Sequence, residues 1–405
     1  MKSRVTPLSV GLFTYSTQPR GSVVHTANLA DALHDAGVEV TVYALDKDGR
    51  GFFRPLRARL ALVAAAPTPG STAELVETRS RELADHLARA APAHDVYHAE
   101  DCLTANGLLR ARAAGHALDL VRTVHHVEAF ADTRLEACQR RSIVEAAACL
   151  AVSEATAGDV AREFGVRARL VTNGVDVARF ASVDPSRLTA WAGRLSADAG
   201  PAVLAVGGVE ERKNTLGILR AFARVRESVP RARLWILGGA SVLDHGTYRQ
   251  AFERELAALS PEVRAAVTTI GVVHDEDVPA IFRLARVLAF PSLHEGFGLA
   301  ALEGLAAGLP VVASRRPPLT EFLDESCAVL VDPTSVADIA RGIVAALGGA
   351  HEKAALGGAS RVEAGRLRAR AHSWSRVAAQ HVEHYRALAG HSRSSREGTV
   401  EVGHA

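Results

Sequence analysis

Short runs of β-branched and leucine residues alternate along the whole chain with longer segments rich in alanine and arginine. The apolar runs of the first half are 8–13, 38–45, 95–98, 120–124, 149–152 and 168–171. Those of the second half are 203–206, 234–237, 267–270, 287–290, 311–313 and 328–331. Strands alternating with helical segments give parallel sheets covered by helices on both faces. Two sets of about six strands therefore predict an α/β chain with two doubly wound domains. Asn173, Gly174, Val175 and Asp176 form a turn signal that closes the first set, which predicts an N-terminal domain over 1–175. The polar stretch 184–200 reads as a hinge, and a C-terminal domain is expected over 195–370. A last helix is predicted over 372–388, and the polar end 390–405 is expected to be disordered.

Length and composition fit that plan. At 405 residues two or three domains are expected, and a 48% hydrophobic content is enough for large cores. Aromatic residues make up only 5% and the formal net charge is +2, so neither stacking platforms nor a basic stripe points to nucleic acid. The four cysteines, Cys102, Cys138, Cys149 and Cys327, have no paired metal spacing, so reduced thiols and a cytoplasmic location are expected. The start of the chain lacks a long apolar core and a small-residue cleavage site, and no stretch approaches about 20 apolar residues.

The most informative segment is PSLHEGFGLAALEGLAAGLPVV, residues 291–312. A strand, a turn with Gly296 and Gly298, and a helix start follow one another there. Helix N-terminal amides lack internal partners and attract anions, and glycine lets a ligand approach the backbone. Glu295 and Glu303 flank this turn. Eight residues of helix rise about 12 Å, which excludes a close acid/base pair. The two carboxylates instead suit the ends of an elongated ligand whose diphosphate sits between them, since carboxylates accept from paired hydroxyls. A sugar joined through a diphosphate to a nucleoside has that layout.

In these residues the chain resembles a retaining glycosyltransferase of family 4, group 1, with the two-Rossmann-domain GT-B fold and its domains facing a central cleft. The resemblance runs from about Leu8 to Leu388. It implies transfer of a hexose from a UDP-, GDP- or ADP-sugar to an acceptor hydroxyl, with the anomeric configuration kept and without metal or other cofactor. By resemblance Glu295 contacts the donor sugar, Glu303 the ribose hydroxyls, and the amides of Gly296, Phe297, Gly298 and Leu299 the diphosphate. In Gly207-Gly208-Val209-Glu210-Glu211-Arg212-Lys213-Asn214 the family's lysine corresponds to Lys213, while Gly208 stands where many members have arginine. Arg212 is the nearest cation that could substitute. Lysine is rare here, occurring only at Lys2, Lys47, Lys213 and Lys353, and a compact ammonium at a strand's carboxyl end suits a phosphate.

Gly21 and Ser22 lie in a loop resembling the family's N-terminal glycine loop, with serine in place of the second glycine. His125 matches the histidine that faces the donor sugar, with neighbouring His126 as the alternative. The loop of Gly271, Val272, Val273 and His274 corresponds to backbone that meets the base, and Glu321 to a glutamate near the nucleotide pocket. Trp374 resembles the SW pattern where the terminal helix packs back onto the first domain.

Asp46-Lys47-Asp48 and Asp275-Glu276-Asp277 are Asp-x-Asp strings, but a turn and a helix start are not the setting of a metal-binding pair, so no metal ligands are assigned. A phosphorylase or a nucleotide-sugar epimerase on the same scaffold, and an inactive binding protein, are the alternatives. The acceptor is unassigned and is expected to meet loops of the first domain, including Glu100, Asp101 and residues 128–141. Arg110 and Arg112 with that segment read as a solvated helix face, with a basic face for peripheral membrane contact as the alternative. The sequence carries no statement of oligomeric state.

Overall fold

The computed structural model describes residues 7–68, 70–90, 93–239, 246–348 and 360–400. The chain divides into two units, with one boundary after Gly174 and a second before Trp374. In the first unit the order is β1 (Ser9–Thr14), α1 (Gly21–Asp35), β2 (Glu39–Asp46), β3 (Arg59–Ala64), α2 (Thr72–Ala90), β4 (Val96–Ala99) and α3 (Cys102–Ala113). It continues with β5 (Leu120–Val124), α4 (Thr133–Val144), β6 (Ala148–Ala151), α5 (Glu154–Phe164) and β7 (Arg169–Leu170). All pairings are parallel, in the order β3-β2-β1-β4-β5-β6-β7.

Seven strands therefore stand where the apolar runs predict six. The additional one is the edge strand β3, whose Leu60 and Leu62 are 40% and 42% exposed. Residues 60–64 are all apolar, so this strand was readable in the sequence; only Val63 among them is buried, as suits a sheet edge.

The second unit opens with α6 (Val177–Ala181) and α7 (Pro185–Leu195). The expected hinge over 184–200 is thus largely helical. Asp184 accepts from Ser186 N, Pro185 supplies a first-turn proline, and Trp191 and Leu195 are buried. Then come β8 (Ala202–Val206), α8 (Thr215–Ser228), β9 (Arg233–Leu237), α9 (Gly246–Ala258), α10 (Pro261–Arg264), β10 (Val267–Gly271) and α11 (Val278–Leu284). The rest is β11 (Val287–Phe290), α12 (Leu299–Ala307), β12 (Val311–Ser314), β13 (Val329–Val331), α13 (Val336–Leu347) and α14 (Arg361–Ala371). Its six parallel strands are ordered β10-β9-β8-β11-β12-β13.

The last helix, α15 (Trp374–Val400), belongs to the first unit and packs on α1. It runs past the predicted end at 388 to Val400, and 401–405 lie outside the described residues. Among the described residues no helix is long and apolar enough to cross a membrane.

The sheets are buried because helices cover both faces. In α8, Ile218, Leu219, Phe222 and Val225 lie on one face and join Val203 of β8 and Ile236 of β9 in a fully buried cluster. The order of strands reverses between β1 and β4 in one sheet and between β8 and β11 in the other. At such a reversal the flanking loops leave in opposite directions and open a crevice at the carboxyl ends of the strands. Replacing Phe222 with alanine is expected to cost about 3–5 kcal/mol of unfolding free energy. Urea unfolding monitored by circular dichroism checks this.

Candidate active site

The second sheet's reversal sets the loop after β8 beside the loop after β11. Leaving β8, the chain turns through Gly207 and Gly208, at φ +122° and +75°. It reaches α8 through Asn214, itself left-handed at φ 58°. Asn214 Nδ2 donates to the carbonyls of Pro291 at 3.0 Å and Pro333 at 2.7 Å. Leu293 N donates to Arg212 O at 2.9 Å. These bonds make the two loops one rigid body.

That body gathers two cations on one carboxylate. Lys213 Nζ lies 2.6 Å from Glu295 Oε1 and 4.6 Å from the centre of the Phe290 ring. Arg212 Nη1 lies 3.0 Å from Glu295 Oε2, and its Nε is 3.5 Å from Glu210. The Glu295 side chain is only 7% exposed. Burial acts to raise its pKa, but the Lys213 and Arg212 charges together outweigh burial and leave it below the ordinary carboxylate value. Burial lowers the Lys213 pKa, and Glu295 offsets part of that effect.

Three residues past Glu295, Gly298 forms the N-cap of α12 at φ 112°, with no capping side chain. A Cβ there would lie 2.3 Å from Leu319 Cδ2, so only glycine fits. Phe297 turns into the core, stacked on Phe322 with ring centres 4.8 Å apart. It can therefore serve an anion only through its backbone amide. Helix α12 starts at Leu299, so only half of the Glu295–Glu303 separation is helical, and the 12 Å rise inferred from spacing assumed too much helix. Glu303 lies four residues into α12 and is partly buried. Burial first, with Asp275 adding to it, pushes its pKa up to about 7 against the opposing charge of Arg179. Arg179, which no sequence signal marks, pairs with Asp275 at 2.9 Å. Val273 follows β10 in a loop where Val272 is 64% exposed and Val273 is partly buried. Glu321 is exposed in a short 3-10 turn.

In the first unit, Gly21 opens α1 with open space where a side chain would be. Ser22 follows in the same turn and its carbonyl accepts from Thr26 Oγ1 at 2.8 Å. His125, just past β5, is largely buried, and its Nε2 lies 2.9 Å from Glu100 Oε2. His126 instead pairs with Glu128 at the surface, which separates the two candidate histidines.

The Asp-x-Asp strings have local roles. Asp46 accepts from the amides of Asp48, Gly49 and Gly51, Asp275 pairs with Arg179, and Asp277 pairs with Arg187 at 2.6 Å. Among the described residues, one His/Glu group has mutually close ligand atoms, within 4.8 Å: His25, Glu100 and His125. The hydrogen bond between His125 and Glu100 already engages two of them.

Gly208 cannot hold the arginine that the family often has. A Cβ there would meet Gly239 O at 2.3 Å, in a backbone conformation unsuited to other residues. Gly208→Arg is expected to lose about 1–3 kcal/mol of stability in chemical denaturation rather than tighten anion binding. For Glu303, the folded state holds a proton that the unfolded state releases between the ordinary glutamate pKa of 4.5 and about 7, so this group lowers stability as pH rises through that window. Glu303→Gln should flatten this dependence, gaining stability over wild type at pH 8 but not at pH 4 in paired thermal melts.

Comparison with known proteins places this geometry in a family. Residues 193–361 match the family described as Glycosyl transferases group 1, and residues 19–179 match Glycosyltransferase Family 4. The chain is 33% identical over 268 residues to a D-inositol 3-phosphate glycosyltransferase of Salinispora arenicola, covering 60% of this chain and 59% of that protein, less than two thirds of its length. It is 30% identical over 317 residues to the MMP alpha-(1->4)-mannosyltransferase of Mycolicibacterium hassiacum, covering 72% of this chain and 70% of that protein. The crystal structure of HepE from Anabaena in complex with UDP and glucose matches at a TM-score of 0.71 and 16% identity, over 94% of this chain and all (100%) of that one. With an uncapped helix start at its sheet reversal and this kinship along both halves, the chain belongs to the group 1, family 4 glycosyltransferases.

Proposed function

We propose that this protein is a retaining, metal-independent glycosyltransferase that moves a hexose from a nucleotide-diphosphate sugar to an acceptor hydroxyl. The observation that carries the reading is the convergence of Lys213 and Arg212 on buried Glu295 beside the uncapped start of α12. A departing diphosphate is a good leaving group and needs no general acid. What it needs is positive potential at the oxygens that gain charge, already in place before the reaction. Lys213, Arg212 and the amides of Gly296, Phe297, Gly298 and Leu299 provide it. Glu295 holds the two cations in position and accepts from hydroxyls of the donor sugar, while Glu303 accepts from the ribose and the backbone at Val273 borders the base.

By the family resemblance, His125 meets the sugar and the Gly21–Ser22 turn the donor, and loops of the first unit bind the acceptor. The relatives' names support hexosyl transfer, and the UDP and glucose named with the HepE structure support a nucleotide-sugar donor. The relatives' different acceptors, an inositol phosphate in one name, leave the acceptor of this chain open.

Thermal-shift screening of UDP-, GDP- and ADP-hexoses, followed by transfer assays with EDTA present, tests the reading. Glu295→Ala is expected to abolish transfer with an unchanged circular dichroism spectrum. Lys213→Ala should lower kcat by about 100-fold or more, with a smaller effect on KM, as for other groups that meet transition-state charge. Full activity of Glu295→Ala, or inversion at the anomeric carbon by NMR, would contradict it.

A further inference from the structure

A second buried cluster, in the first unit, surrounds His125, and its carboxyl group Glu100 has no part in the scheme above. Glu100 follows β4 directly and its side chain is wholly buried, at 0% exposure. Three imidazoles from three elements surround it: His125 Nε2 at 2.9 Å, His25 Nε2 of α1 at 3.6 Å and His98 Nε2 of β4 at 3.8 Å. Only the first distance is that of a good hydrogen bond. His98 is committed elsewhere, through Nδ1 to Tyr385 Oη at 2.6 Å and through Nε2 to Thr123 Oγ1 at 2.7 Å. Glu100 Oε1 has no hydrogen-bond partner among the described residues. His25 in turn is wedged edge-on against Trp374 of α15, with ring centres 5.2 Å apart, and against the His125 ring at 4.8 Å.

A carboxyl group buried without a direct lysine or arginine partner is a poor stabiliser, and apolar residues of similar size commonly serve as well. Its position serves His125 instead. The His125 ring is the member of the cluster that retains exposure, at 15% of its side chain. With Nε2 held by Glu100, the ring cannot flip without leaving a buried acceptor unpaired. The nitrogen left over is Nδ1.

We propose that Glu100 is a positioning residue for the transfer reaction: it holds Nε2 of His125, fixing the ring so that Nδ1 is the nitrogen offered to the sugar. This rests on the role of His125 given above. Burial lowers the His125 pKa to about 3, with Arg122 and His126 adding to the effect, and lowers that of His25 to about 3. His125 is therefore a neutral hydrogen-bonding group at neutral pH, and its tautomer and orientation decide what it can do.

The test is a double-mutant cycle on the full-length enzyme with its best donor. Glu100→Gln keeps a hydrogen-bonding group at Nε2 and is expected to stay within about threefold of wild-type kcat, because positioning survives. Glu100→Leu keeps volume without a partner and is expected to lose about tenfold or more in kcat with a near-unchanged donor KM. In a His125→Ala background, Glu100→Leu should cause no further loss. If the leucine variant does not fold, Glu100→Ser, too short to reach Nε2, carries the same expectations. Equal losses from Glu100→Leu in both backgrounds, a glutamine variant as impaired as leucine, or a fully active leucine variant would each overturn the proposal. Full activity of His125→Ala alone would instead remove the reading of His125 on which it rests.

Discussion

The second unit depends on one electrostatic arrangement: a buried carboxylate shared by an ammonium and a guanidinium. Lys213, with a side chain 15% exposed, could not be held there without a counter-charge, because desolvating an unpaired charge costs far more than the loop contacts return. Glu295 supplies that counter-charge, and the Asn214 bonds to the carbonyls of Pro291 and Pro333 keep the loops close enough for it to act. The net result is a preformed cluster in which Lys213 and Arg212 are held by Glu295, with Glu210 as a second carboxylate on Arg212. In the proposed function, a diphosphate bound beside α12 would meet donors whose ordering entropy was met during folding.

The two units solve different problems with the same sheet geometry. In each, the strand order reverses beside the first strand of the sheet; in the second unit the loops at that reversal carry Arg212, Lys213 and Glu295, while in the first Glu100 follows β4 and His125 follows the next strand, β5. The second unit concentrates formal charge there. The first keeps neutral histidines around a single buried carboxyl, with α15 closing over them through Trp374, His381 and Tyr385. Charge suits a diphosphate, whereas neutral directional groups suit the hydroxyls of a sugar or an acceptor.

Much of this was legible in the amino-acid order. Eight to a dozen contiguous positions carry the anion turn, so glycines, carboxylates and helix start can be read together at 291–312. Lys213 stands out because arginine is used almost everywhere else. The loop register also made Gly208 visible as a departure, although its reason, the carbonyl of Gly239 where a Cβ would go, is a contact between distant segments. Edge strand β3 was equally legible, since residues 60–64 are all apolar, and its absence from the predicted strands has no physical cause. Arg179 beside Glu303, and the Glu100 cluster assembled from residues 25, 98, 100, 125 and 381, share no spacing at all. Such sites are created by sheet order and by the return of the last helix, which local periodicity does not encode.

The central claim is that the first amides of α12, together with the Lys213 loop, grip a diphosphate. Hydrogen-exchange mass spectrometry with and without saturating nucleoside diphosphate measures this directly. Slower exchange in peptides spanning 293–303 and 207–215 is the result predicted here. Unchanged exchange in both, with protection arising elsewhere in the chain, would contradict it.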